Sequence, residues 1–122
     1  MIEFLFDLLG YEREQVNVSE IKKQVMVRYK LKSERVEENV QFVEQIFAKL
    51  AAQQPGGLEY SSMRLEDGVT FVHIARIRTD DGSNPLVELE EFKAFTAELS
   101  ERCEEPPVAQ EIELIGNYQL FN

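Results

Sequence analysis

The sequence predicts an α+β domain built on the split βαβ plan: a four-stranded antiparallel sheet with both helices on one face. Three observations carry this. "KQVMVRYKL", at 23–31, alternates apolar and polar residues as a half-buried strand does. "RVEENVQFVEQIFAKLAA", at 35–52, repeats apolar residues at helical spacing. Residues 58–66 and 69–79 are strand-like runs joined by Asp67-Gly68, a strong hairpin signal. With a second helical run and a last strand, the order is strand, helix, strand, strand, helix, strand, the ferredoxin-like arrangement that short right-handed connections favour. The 122 residues suit one such domain.

Residues 1–22 are expected to form an extension before the domain at 23–122. Ile2, Leu5, Phe6 and Leu9 sit at helical spacing and Gly10 offers a stop, so a short amphipathic helix and a polar connector are predicted. Three readings stay open: a packed extension, a docking segment for a partner, or a natural start at Met26. The first domain strand then puts Val25, Val27, Tyr29 and Leu31 on its buried side. Ser33 is placed to cap the first helix, whose stripe is Val36, Val40, Val43, Phe47 and Leu50. "QPGG" ends that helix. Asn84 caps the second helix and Pro85 occupies its first turn. Its inner stripe is Leu89, Phe92, Thr96, Leu99 and Cys103, with Phe95 beside it. Pro106 and Pro107 break the chain before a last strand, "VAQEIELIGNY".

Composition bounds the partners. The chain is 43% apolar and 30% charged, with a formal net charge of −10. That charge repels phosphate backbones and anionic bilayers, so nucleic acid and membrane surfaces are disfavoured. No apolar run approaches the ~20 residues of a span, and the acidic start does not read as a secretory signal. The single cysteine, Cys103, forms no internal disulfide, which fits a reducing, cytoplasmic setting. No zinc-site spacing, phosphate loop or nucleophile elbow is present, and no metal or cofactor is expected.

The Asp67-Gly68 turn fixes a register. Glu59 then faces Arg76, Met63 faces Val72, and Ser61 faces Ile74; this side is assigned to the helices. On the other side Arg64 faces Phe71, Ser62 faces His73, Tyr60 faces Ala75, and Leu58 faces Ile77, with Met26 and Arg28 joining from the first strand. Leaving Leu58, Ile77, Phe71 and Tyr60 wet forfeits on the order of 6–12 kcal/mol, at roughly 1.5–3 each. A two-fold dimer packing sheet on sheet is the expected cover.

On "PGGLEYSSMRLEDGVTFVHIARI", at 55–77, and "NPLVELEEFKAF", at 84–95, the chain resembles the antibiotic biosynthesis monooxygenase-like group of the dimeric α+β barrel superfamily. The resemblance spans about 23–118. It implies a homodimer forming a dimeric α/β barrel, with a small-ligand pocket between sheet and helices in each protomer. It further implies, for some members, oxygenation of polyketide or quinol substrates without metal or flavin, by deprotonating the substrate so that its anion reduces dioxygen. Haem degradation, the work of other members, is set aside. That pattern needs a tryptophan and a histidine on the second helix, and both are missing here.

His73, the one histidine, is the candidate base, because imidazole titrates near neutrality. Tyr60 and Arg64 share its face as candidate catalytic partners, with an arginine offering oxyanion stabilisation. Arg28, Ser62, Phe71 and Met26 are the candidate contacts of an aromatic ligand. The competing reading of His73 is a dimer-interface histidine hydrogen-bonded to Ser62 or a tyrosine. Two functions are therefore open: a cofactor-free monooxygenase-like enzyme, or a non-catalytic dimeric module binding a small ligand or a protein. Cys103 reads as a small buried hydrophobe.

Overall fold

The computed structural model describes residues 21–120. The expected amphipathic helix of the extension lies outside them. The described elements are β1 (Lys23–Leu31), α1 (Val36–Gln53), β2 (Leu58–Arg64), β3 (Thr70–Ile77), α2 (Glu90–Ala97), α3 (Leu99–Arg102) and β4 (Cys103–Glu111). The strands form one antiparallel sheet in the order β2-β3-β1-β4. Tyr29, Leu31 and Phe71 of the sheet pack with Val36, Val43 and Ile46 of α1 and with Phe95 and Leu99 from the second helical region. Both helical layers therefore cover the same sheet face, as the split βαβ plan requires.

The hairpin register is as expected, from Leu58 opposite Ile77 to Arg64 opposite Phe71. Asp67 locks the turn by accepting from Val69 N, Thr70 N and Thr70 Oγ1 at 3.0, 2.8 and 2.6 Å. The assignment of faces is reversed. Residues directly opposite across an antiparallel pair share a face. Val27 faces His73 and Tyr29 faces Phe71, so the set containing Leu58, Tyr60, Ser62, Arg64, Phe71, His73 and Ile77 lies on the helix side. Met26 pairs with Ile74 and Arg28 with Val72, on the helix-free side. Apolar content misleads here, because three polar residues, Ser62, Arg64 and His73, stand on the core face. Matching β3 to the already recognised core residues of β1 gives the correct side.

The second helical region is broken. A short 3-10 turn (Pro85–Glu88) precedes α2, and α2 ends before α3. Asn84 Oδ1 accepts from Leu86 N at 2.9 Å, so the predicted cap is present. Phe95 is buried where Thr96 was expected, and Cys103 opens β4 instead of closing a helix. Pro106 and Pro107 lie inside β4, where the pairing with β1 shifts between Lys30–Glu105 and Arg28–Val108. An edge strand at a bulge tolerates proline because no ladder donor is needed there. At the N-terminus of α1, Ser33 makes no side-chain cap and enters a 3-10 turn (Ser33–Arg35).

Candidate functional site

Five elements bring a chain of polar side chains into the layer between sheet and helices. β3 supplies His73, and β2, its neighbour, supplies Ser62 directly opposite and Tyr60 two pairs along, on the same face. β1 supplies Tyr29, α1 supplies Asn39, and α3 ends in Arg102. His73 Nδ1 is 2.5 Å from Tyr60 Oη, and its Nε2 is 2.7 Å from Tyr29 Oη and 3.1 Å from Ser62 Oγ. Asn39 Nδ2 donates to Tyr29 Oη at 2.9 Å. Arg102 Nε donates to Asn39 Oδ1 at 3.2 Å and its Nη2 to Phe95 O at 2.7 Å.

Aromatic rings wall this chain. The His73 ring stacks on Phe95 at 5.3 Å, Tyr29 stacks on Phe71 at 5.7 Å, and Tyr60 stacks on Phe47 at 5.2 Å. His73 is 4% exposed, and Asn39 and Arg102 are fully buried. Burial alone drives the His73 pKa down to about 4, so the imidazole is neutral at physiological pH. Burial raises both phenols well above their ordinary value, so Tyr29 and Tyr60 keep their protons. Arg102 is the one charge in the network. Its guanidinium lies 4.6 Å from the Phe42 ring centre and 5.5 Å from that of Phe95. Burial lowers its pKa, yet an arginine stays protonated. Its Nη1 has no hydrogen-bond partner, and among the described residues no carboxylate closes on it. Glu38, whose charge favours the protonated Arg102, is paired instead with Arg35 at 2.6 Å.

The structure thus brings together His73, Tyr60 and Ser62, with Phe71 beside Tyr29. Arg64 is exposed, its guanidinium 5.9 Å from the Phe71 ring centre. Met26 and Arg28 stand on the opposite face of the sheet and do not reach the cluster. Cys103 is buried, and burial raises its thiol pKa. Among the described residues no cluster of three or more His, Cys, Asp or Glu is placed to hold a metal, and no helix is long and apolar enough to cross a membrane.

Sequence reasoning passed over Tyr29, Asn39 and Arg102. Asn39 did carry a signal: it lies between Val36 and Val43, on the stripe α1 buries, where an amide without a partner is costly. Arg102 carried a weaker one, a charge between the inward-facing Leu99 and Cys103.

No protein-family model and no curated protein matches the chain. Solved structures do. A candidate antibiotic biosynthesis monooxygenase from Nitrosomonas europaea aligns at TM-score 0.62 and 13% identity, over 75% of this chain and 88% of that one. A second such candidate, from Caulobacter crescentus CB15, aligns at 0.61 and 18%, over 76% and 89%. A conserved protein from Methanosarcina mazei Go1 aligns at 0.63 and 13%, over 79% and 95%. At these identities the likeness is one of backbone architecture. The chain carries the α+β fold shared by the antibiotic biosynthesis monooxygenase-like structures.

Proposed function

We propose that this protein is a monooxygenase-like protein that takes an aromatic or quinol-type small molecule without a bound cofactor. The cluster of Tyr60, His73 and Ser62 meets the molecule's oxygen. One observation carries the reading: a neutral imidazole in a dry layer, with phenol oxygens at 2.5 and 2.7 Å from its two nitrogens. A group already complementary to phenol oxygens suits a ligand that brings another. Tyr60 is half-buried on the edge strand, and Phe47 beside it offers a ring face to an incoming aromatic. In the catalytic form of this reading His73 is the base, Tyr60 is the hydroxyl through which the proton passes, and the exposed Arg64 stabilises the anion that forms. The working unit is a homodimer. The half-buried Met26, Met63, Val72 and Ile74 on the helix-free face form its contact.

A second reading, a non-catalytic ligand-binding or interaction module, is favoured by a different observation. Both His73 nitrogens are closed by the chain's own hydroxyls, and a histidine held at about 4 is a weak base. Oxygen uptake with a panel of hydroquinones and anthrone-like compounds separates the two. The first reading expects uptake by the wild type and a loss of about 100-fold or more in His73→Gln and Tyr60→Phe that retain their fold. Saturable binding of the same compounds with no uptake establishes the second. Neither binding nor uptake contradicts both.

A further inference from the structure

The hydrogen-bond chain has a direction, and its buried end sets it. A guanidinium only donates, so the oxygen of Asn39 must face Arg102 and its NH2 must face Tyr29. Tyr29 Oη therefore accepts from Asn39. Its own proton then has two fates. If it goes to His73 Nε2, the imidazole proton sits on Nδ1 and is donated to Tyr60. If instead Nε2 carries the proton, Tyr29 accepts twice and its O–H is left without a partner at a site 2% exposed. A buried orphan donor is the costlier outcome. In the first arrangement the unspent proton belongs to Tyr60, which is only half-buried. Ser62 takes the longer, secondary approach to Nε2.

We propose that Asn39 and Arg102 are positioning residues that impose a one-way hydrogen-bond chain, Arg102 to Asn39 to Tyr29 to His73 to Tyr60. The resting site therefore offers its ligand a proton donor, the Tyr60 hydroxyl. The oxygen it selects is an acceptor, the carbonyl or ionised oxygen of an aromatic molecule, in preference to a neutral hydroxyl that must donate. The choice of ligand rests on the function proposed above; the direction of the chain does not. The resting site is thus not yet the base: the catalytic form proposed above requires the imidazole to shift to the opposite tautomer, with Nδ1 free to accept from Tyr60, once the ligand is bound.

Because the chain has a single histidine, its tautomer is read without ambiguity from a long-range proton–nitrogen correlation spectrum of the 15N-labelled full chain near neutral pH. The expected spectrum has a protonated Nδ1 and a bare Nε2. A protonated Nε2 overturns the proposal and leaves the base reading standing. Asn39→Asp tests the cause. A carboxylate accepts from both Arg102 and Tyr29, which takes the Tyr29 proton away from Nε2; in Asn39→Asp/Ser62→Ala, where no other hydroxyl donates to Nε2, Tyr29 accepts from Nε2–H and the tautomer reverses. A folded Asn39→Asp/Ser62→Ala that keeps Nδ1–H contradicts the positioning role. Should that variant fail to fold, the wild-type spectrum still decides the direction. Neither measurement depends on turnover, so a failed oxygen-uptake assay leaves the result intact.

Discussion

His73 is uncharged in the folded chain because the layer around it is dry, and this has a thermodynamic consequence. Its folded pKa of about 4 lies below its ordinary 6.5, so between those values the unfolded chain binds the extra proton. Stability is full above pH 6.5 and falls as the pH drops toward 4. Between pH 6.5 and 5 the loss expected from this one group is about 2 kcal/mol. Urea unfolding across that range checks it; His73→Gln, which cannot titrate, is expected to lose this slope. Asn39 matters for a related reason. Asn39→Ala strips partners from Tyr29 Oη and from the buried Arg102 Nε, and is expected to cost about 2–4 kcal/mol in chemical denaturation. At this scale the sequence was half legible. Residue type and register put His73, Tyr60 and Ser62 on one face, though on the wrong side of the sheet. Tyr29 and Arg102 were not, because a tyrosine in an apolar strand and an arginine in a charged helix look ordinary until the fold joins them.

At the scale of elements, local chemistry was read best where it is strictly local. The Asp67-Gly68 turn fixed every β2–β3 pair, and Asn84 capped the turn it was expected to cap. Errors came where tertiary context overrode the pattern. The last strand starts at Cys103 and runs through Pro106 and Pro107, since a bulged edge needs no donor at those positions. The stripe of α1 includes Asn39 and Ile46, with Val40, Phe47 and Leu50 only partly buried. Gly57 gives a test of the α1–β2 connection. Its φ is +75°, and an added Cβ would lie 2.7 Å from Thr79 Cγ2 and 2.9 Å from Thr79 N. Gly57→Ala is expected to destabilise by about 2 kcal/mol, from left-handed backbone strain and the clash together. Thermal melting of the variant beside the wild type measures it.

For the whole molecule, the element order sufficed for the fold, and the comparison structures share it. The orientation of the sheet was not legible from apolar content. The helix-covered face carries His73, Ser62 and Arg64, while the open face carries Val72, Ile74, Met26 and Met63. Each face mixes polar and apolar residues, so only pairing with β1 tells them apart. The apolar surface that a second copy would cover therefore lies on the helix-free side of the sheet. Covering those four apolar side chains is worth roughly 1.5–3 kcal/mol each at full burial. Sedimentation at micromolar concentration is expected to show a dimer, and Ile74→Lys a shift toward the 14.1 kDa monomer. A wild-type monomer in that run would remove the sheet-to-sheet contact from the account. The closed setting of His73 underlies both the hydrogen-bond chain and the proposed ligand site, and the protonation state of that one imidazole tests it most directly. Followed by its carbon-bound ring protons through a pH titration of the folded chain, His73 is expected to show no titration step from about pH 8 to about pH 5. A step centred near 6.5 would contradict the account, because it would place the ring in water.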